Sequence, residues 1–383
     1  MVHNIIVKVT LDCNIRCRYC YVRRNRDPGD SAGVMSEDTL AALIRTTGDY
    51  LATNAPSSDF VFYWHGGEPL RAGPQFFERC RALQKRYLPS DIPVVNTIQT
   101  NGILVTDEWA RVIKRGGYGV CVSLDGPAEV HDEWRRTPTN TGTHNLVLRG
   151  IETLRRHEIP VSILAVITPP ALGQGARIYR TFRALGCCWM DFMYPFYSLI
   201  DNTIDAEVAP AAWGDFLVDV FDAWMAEANP DVTVRLLHDL CMALMHGRTQ
   251  MCISGIDCSY VVTVYPGGDV FICDDLLAYA DSRLGHVHRD SLSALSCHPL
   301  LTRLKDPCFL FGDDCRRCTI FDVCRGGCTL FRARRRNDFL GRHYFCASQR
   351  RIISHITQYL GKVAAAPEDG GRATPAAPPV ALS

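Results

Sequence analysis

The chain has 383 residues, 47% of them hydrophobic, enough for two or three domains with a large core. Its 41 basic and 41 acidic residues cancel, which argues against nucleic acid as an electrostatically captured partner. No apolar run reaches the roughly 18 residues of a membrane span, and the N-terminus lacks the basic and apolar regions of a secretion signal. Eighteen cysteines then point to metal ligation rather than disulfides, and to a cytoplasmic, reducing setting.

Strands and helices alternate through the first half. Predicted strands run over 4–10, 59–64, 94–99, 119–124, 160–167 and 189–194, several of them apolar throughout, as buried parallel strands are. Predicted helices run over 36–54, 75–87, 107–115, 144–157 and 175–185. The first has Ser36 as its N-cap and carries Leu40, Leu43, Ile44 and Leu51 at helical spacing. Alternation with about six strands argues a parallel α/β sheet, either open or curled into a partial barrel. An amphipathic helix follows at 211–228. Near Val234 the character changes, which divides the chain into 1–235, a cysteine-rich part at 236–362, and an Ala/Pro/Gly-rich tail at 363–383 expected to be disordered.

Cys13, Cys17 and Cys20 follow the first strand at x3 and x2 spacing, with Tyr19 before the last. Three thiols fit one face of a four-iron cubane, and a fourth, uncapped iron gives the open position that a reactive metal centre needs. A zinc site short of one ligand is the plainer alternative. The loop resembles the signature of the radical S-adenosylmethionine (SAM) enzymes. The resemblance implies a partial (β/α)6 TIM-like barrel and an open iron that chelates SAM and cleaves it to a 5′-deoxyadenosyl radical.

In such folds ligand-binding residues gather at the C-terminal ends of the strands. His65-Gly66-Gly67-Glu68-Pro69 follows the second strand. Its glycines allow close backbone approach to a ligand, and Glu68 offers an acceptor to a cationic amine. The segment is similar to the family's GGEP motif, which holds the SAM amino group. Gln99-Thr100-Asn101-Gly102 ends the third strand as a turn. Ser123 ends the fourth, and Arg135 follows in a stretch read as a polar connection. The resemblance assigns these two to the SAM ribose and carboxylate. Phe196, beyond the sixth strand, is a candidate to pack on adenine or an ordinary core aromatic.

The C-terminal part carries Cys252, Cys258 and Cys273, then Cys315, Cys318, Cys324, Cys328 and Cys346. Eight thiols suit two tetrathiolate sites. A glycine-turned hairpin over 261–273 would bring Cys258 and Cys273 to neighbouring strand ends. Two structural zincs are the alternative. The spacing is similar to the SPASM domain with its two auxiliary [4Fe–4S] clusters. By that resemblance Cys252, Cys258, Cys273 and Cys328 hold one auxiliary cluster, and Cys315, Cys318, Cys324 and Cys346 hold the other. That makes three [4Fe–4S] clusters in all, with SAM as co-substrate. Asp274 is either an exposed turn residue or, as in SPASM-type sulfatase-maturing enzymes, the base that takes the substrate's proton.

These resemblances imply an oxidoreductase acting on a peptide or protein. The motif context is most similar to maturases that cross-link side chains in ribosomally made peptides. The alternatives are an anaerobic sulfatase-maturing enzyme, which oxidises Cys or Ser to formylglycine, and a small-molecule dehydrogenase. Expected partners are a reductant such as flavodoxin or ferredoxin. A leader peptide would be bound by a separate protein or by the C-terminal half, unless the substrate has none.

Overall fold

The computed structural model describes residues 1–24, 33–54, 56, 58–194, 208–249, 251–252, 258–274, 282–306, 311–333 and 341–365. Its strands are β1 (Asn4–Thr10), β2 (Phe60–Gly66), β3 (Val94–Thr100), β4 (Gly119–Ser123), β5 (Val161–Val166), β6 (Trp189–Met193), β7 (Thr233–Val234), β8 (Val261–Val264), β9 (Asp269–Phe271) and β10 (Arg283–His286). They form one sheet in the order β10-β9-β8-β1-β2-β3-β4-β5-β6-β7. Pairing is parallel from β8 through β1 to β7; β9 and β10 add antiparallel to β8. The first six predicted strands lie within two residues of those observed.

The helices between the first six strands are α1 (Glu37–Thr53), α2 (Pro74–Tyr87), α3 (Asp107–Gly116), α4 (Ala128–Trp134), α5 (His144–Arg156) and α6 (Gly175–Ala184). Ser36 caps α1 by accepting from the Thr39 N–H, and Thr106 caps α3 through Trp109. The segment containing Arg135, read as a polar connection, begins as the helix α4. Its Asp132 accepts from the N–H groups of Thr143 and His144 and so fixes the start of α5.

Alternation along the strands separates two faces. Val7, Val9, Phe62, Trp64, Val122 and Phe192 are buried in the main hydrophobic core. The other face carries Lys8, His65, Gln99, Ser123, Ser162 and Asp191, so these strands are not apolar throughout. Arg235, which opens α8 (Arg235–His246), reaches Asp191 of β6 at 3.4 Å, and its charge also interacts with Tyr63 of β2. Those two strands stand four places apart, so the sheet curls into a partial barrel with the polar face inside.

The cysteine-rich part shares this sheet, because β8 pairs with β1 across Asn4↔Val261 to Val7↔Val264. The last helix, α9 (Cys346–Ala365), packs on α7 (Pro210–Glu227), where Gly214 admits Ser348 and Arg351 and where His355 meets Asp222 at 2.6 Å. Among the described residues no helix is long and apolar enough to cross a membrane.

Gly150 of α5 presses on the turn after β3. A Cβ there would lie 2.0 Å from the Gly102 carbonyl oxygen, so a side chain forces α5 off the sheet. Gly150→Ala is expected to cost about 1–3 kcal/mol and to lower the melting temperature. Gly361→Ala, with nothing within 4 Å of its added Cβ, should be neutral or stabilise by about 0.5–1 kcal/mol. Equal melting of the two variants would contradict this packing.

Candidate functional site

The cysteine loop leaves the end of β1 and is held from two sides. On one side the end of β2 presses against it. The Gly67 N–H donates to Thr10 at 2.7 Å, and the Glu68 N–H donates to Asp12 at 2.9 Å. A Cβ on Gly66 would lie 2.2 Å from the Thr10 carbonyl oxygen, at φ +132°, and one on Gly67 would lie 2.2 Å from the Asp12 carbonyl oxygen. The paired glycines thus serve a close approach between two backbone segments, where the sequence suggested an approach to a ligand.

Glu68 is fully buried. One carboxylate oxygen accepts from Thr100 Oγ1 at 2.7 Å and from the Leu70 N–H at 3.1 Å; the other accepts from the Asn101 N–H at 2.8 Å. Burial pushes its pKa up to about 7 against these hydrogen bonds. Asn101 Nδ2 in turn donates to Asn14 at 2.8 Å and faces Cys13 Sγ at 3.7 Å. A turn read as mere punctuation therefore braces the loop.

On the other side, Arg16–Cys17 pairs with Arg135–Arg136 in a two-residue ladder. Arg135 is 7% exposed, and its Nε and Nη2 reach the two Asp125 oxygens at 2.8 and 3.0 Å. Tyr19 donates to the same carboxylate at 2.5 Å, and the Val166 N–H does so at 2.9 Å. Burial alone would raise the Asp125 pKa, but the Arg135 charge and these bonds hold it below the usual carboxylate value. Arg135 Nη1 lies 3.9 Å from Cys17 Sγ. The arginine assigned to a ligand carboxylate thus already holds a carboxylate of the chain. Ser123 Oγ accepts from Gln99 Nε2 at 3.0 Å on the interior face. Phe196 lies outside the described residues.

The three loop thiols are near enough for their charges to interact. Burial raises Cys13 to about 11 and raises Cys17 further. Thiols such as Cys13 and Cys17, which resist ionising alone, suit a site where bound metal supplies the positive charge. Among the described residues, no three His, Cys, Asp or Glu side chains converge as ligands of one metal ion.

Asp274 is 6% exposed, which overturns the exposed-turn reading. Its Oδ2 accepts from both Lys8 Nζ and Tyr21 OH, while Oδ1 is buried with no hydrogen-bond partner among the described residues. Lys8 Nζ also lies 2.9 Å from Tyr21 OH and 2.9 Å from His65 Nδ1. An ammonium has only donors, so His65 Nδ1 accepts and the ring proton sits on Nε2. Burial, then the Lys8 charge, lowers the His65 pKa to about 3, so the ring is neutral. Lys8, in the middle of a strand of apolar character, was not singled out by its sequence.

Farther along, Cys315, Cys318, Cys324 and Cys346 line one small, partly open hollow together with His343. Cys258 donates to Thr329 Oγ1 at 3.3 Å, on the turn of helix after Cys328. The β8–β9 hairpin forms as expected, with Cys258 just before it and Cys273 just after it. Cys252 is exposed.

Asp125→Asn would leave the Arg135 charge buried without its counter-ion. The expected cost is about 3–5 kcal/mol, seen as a lower melting temperature; unchanged melting would show that the pair is dispensable.

Residues 7–171 match the Radical SAM superfamily. The chain is 25% identical over 366 residues to the cysteine-type anaerobic sulfatase-maturating enzyme of Clostridium perfringens, covering 94% of this chain and 97% of that one. It is 28% identical over 334 residues to the serine-type enzyme of Klebsiella aerogenes, covering 85% and 79%. The solved structure of anSMEcpe with bound AdoMet and Cp18Cys peptide superposes with a TM-score of 0.82 at 24% identity, over 95% of this chain and 99% of that one. Streptococcus suis SuiB bound to its precursor peptide SuiA gives 0.66 at 14% identity, over 90% and 76%. The chain carries a Radical SAM domain over residues 7–171, is an enzyme, and is similar throughout its length to the anaerobic sulfatase-maturating enzymes.

Proposed function

We propose that the chain oxidises a Cys or Ser side chain of a protein substrate to formylglycine. The observation that carries this reading is the end-to-end likeness to the sulfatase-maturating enzymes, cysteine-rich half included. It prefers the stated alternative over a side-chain cross-link. Cross-linking remains the second reading, favoured by the motif context of residues 63–70 and by the likeness of fold to SuiB.

In this reading Cys13, Cys17 and Cys20 hold the cluster that binds SAM. The eight later cysteines hold two more, grouped as the resemblance assigns them. When bound, the first cluster and SAM supply a one-electron cleavage that yields a carbon radical able to take a hydrogen atom. The chain's own residues do the rest. Gly66, Gly67 and Glu68 fix the loop so that its thiols face the interior. Tyr19, Asp125 and Arg135 hold its far side. Ser123 lies on the interior face for the ribose.

Asp274 takes the proton that leaves the substrate, at the buried Oδ1 that has no hydrogen-bond partner among the described residues. Lys8 and Tyr21 hold its other oxygen and so aim the first. Loss of two electrons and two protons from a serine CH2–OH gives the aldehyde directly. A cysteine gives the thioaldehyde, which water converts to the aldehyde with release of hydrogen sulfide. A flavodoxin or ferredoxin supplies the electron for SAM cleavage.

Reconstituted anaerobically and reduced, the protein should convert SAM to 5′-deoxyadenosine and a Cys- or Ser-containing sulfatase peptide to the aldehyde. A cross-linked peptide without aldehyde would return the second reading. Ala at Cys13, Cys17 or Cys20 should abolish SAM cleavage. Asp274→Asn should spare it while slowing aldehyde formation by about 10²–10⁴-fold; an unchanged rate would remove Asp274 from the chemistry. Iron should approach about twelve per chain, three clusters of four. Four irons with two zincs would refute the auxiliary clusters.

A further inference from the structure

Arg332 is 4% exposed, a rare position for a guanidinium. It sits on the helical turn Thr329–Ala333, just after Cys328. Its Nη2 donates to Thr329 Oγ1 at 2.9 Å, the same oxygen that accepts from Cys258 at 3.3 Å. Its Nη1 rests against Gly326, between Cys324 and Cys328, where an added Cβ would come within 3.3 Å. The ring of Phe311 covers the guanidinium at 4.8 Å. From this position the Arg332 charge acts on Cys258 and Cys328 of one thiol set and on Cys315 and Cys324 of the other.

Among the described residues, no other buried cation faces both thiol sets. Arg342 and Arg350 also face the second set, yet both are exposed. Water and salt screen their charges, whereas a buried charge is screened much less. A guanidinium also stays charged at any working pH.

We propose that Arg332 is a positioning residue for electron transfer, one permanent charge shared by two auxiliary clusters that raises both of their reduction potentials. The inference rests on the reading of the eight cysteines as two cluster sites. A cubane held by four thiolates is anionic and gains a further negative charge on reduction. A buried cation facing both sites therefore favours the reduced form of each. That would make both sites better acceptors of the electron that a substrate radical must give up.

The test is a redox titration of the full, anaerobically reconstituted chain, followed by EPR, with iron counted in parallel. Arg332→Gln keeps an amide for the Thr329 bond and removes the charge. Both auxiliary midpoints should move to more negative potential, while the SAM-responsive cluster keeps its own. Arg351→Gln, at an exposed arginine paired with Asp215, should leave all three in place. Full iron with unmoved auxiliary midpoints in Arg332→Gln, or movement of only one of them, would overturn the shared-charge role. Should that variant fail to load iron, Arg332→Lys decides. Restored loading with both midpoints near the wild-type values supports the charge, and equal failure makes the role structural and overturns it. Wild-type protein lacking the auxiliary clusters would overturn the cluster reading itself, a result distinct from unmoved potentials.

Discussion

The structure depends on β1 being paired on both sides. Its residues Asn4–Val7 match Val61–Trp64 on one side and Val261–Val264 on the other. A parallel neighbour must run in the same direction, so the chain ends that leave these strands converge at one rim. The cysteine loop leaves β1 there and the Gly-Gly turn leaves β2 there, while β9 returns antiparallel along β8 and Asp274 after it joins Lys8 of β1. A strand partner more than 250 residues distant in the chain thus brings the cysteine-rich half to the cysteine loop.

The same arrangement explains a lysine inside a strand. Lys8 occupies the interior face at the level of His65, its register partner. A buried ammonium is costly unless paired and hydrogen-bonded. Asp274, Tyr21 and the neutral His65 meet that requirement. Each comes from a different segment, so the contacts of Lys8 form only when hairpin, loop and barrel are all in place. Asp125 plays the matching part across the rim, where it satisfies Arg135, Tyr19 and the β5 backbone together. These buried pairs are specificity devices more than sources of stability, because desolvation offsets much of their attraction.

Much of this was legible in the sequence because its signals are local. β-branched runs and cap residues such as Ser36 are decided within a few positions, and the cysteine spacings are local as well. The polar interior was harder to read. Lys8 stands in the run Ile5-Ile6-Val7-Lys8-Val9, where a single polar residue looks like a solvent-facing exception until curling turns that face inward. Asn101 read as a turn residue and Asp125 drew no reading of its own, because their partners lie in the cysteine loop, about 90 to 110 positions away. The glycines of the second motif were credited with admitting a ligand, since nothing in the sequence says that the backbone of Thr10 and Asp12 comes so close. Arg332 had no signal at all, because one arginine among many shows its burial only when both thiol sets surround it. The sequence division near residue 235 follows composition, and strands on both sides of it join in one sheet.

The account turns on the proposal that Cys13, Cys17 and Cys20 hold a cluster with one iron that no side chain caps. The most direct measurement is the EPR spectrum of the reduced, anaerobic protein before and after SAM is added. Direct ligation predicts a change in the signal of one cluster, which should be lost on Cys17→Ala while the auxiliary signals persist. A spectrum indifferent to SAM would contradict the account.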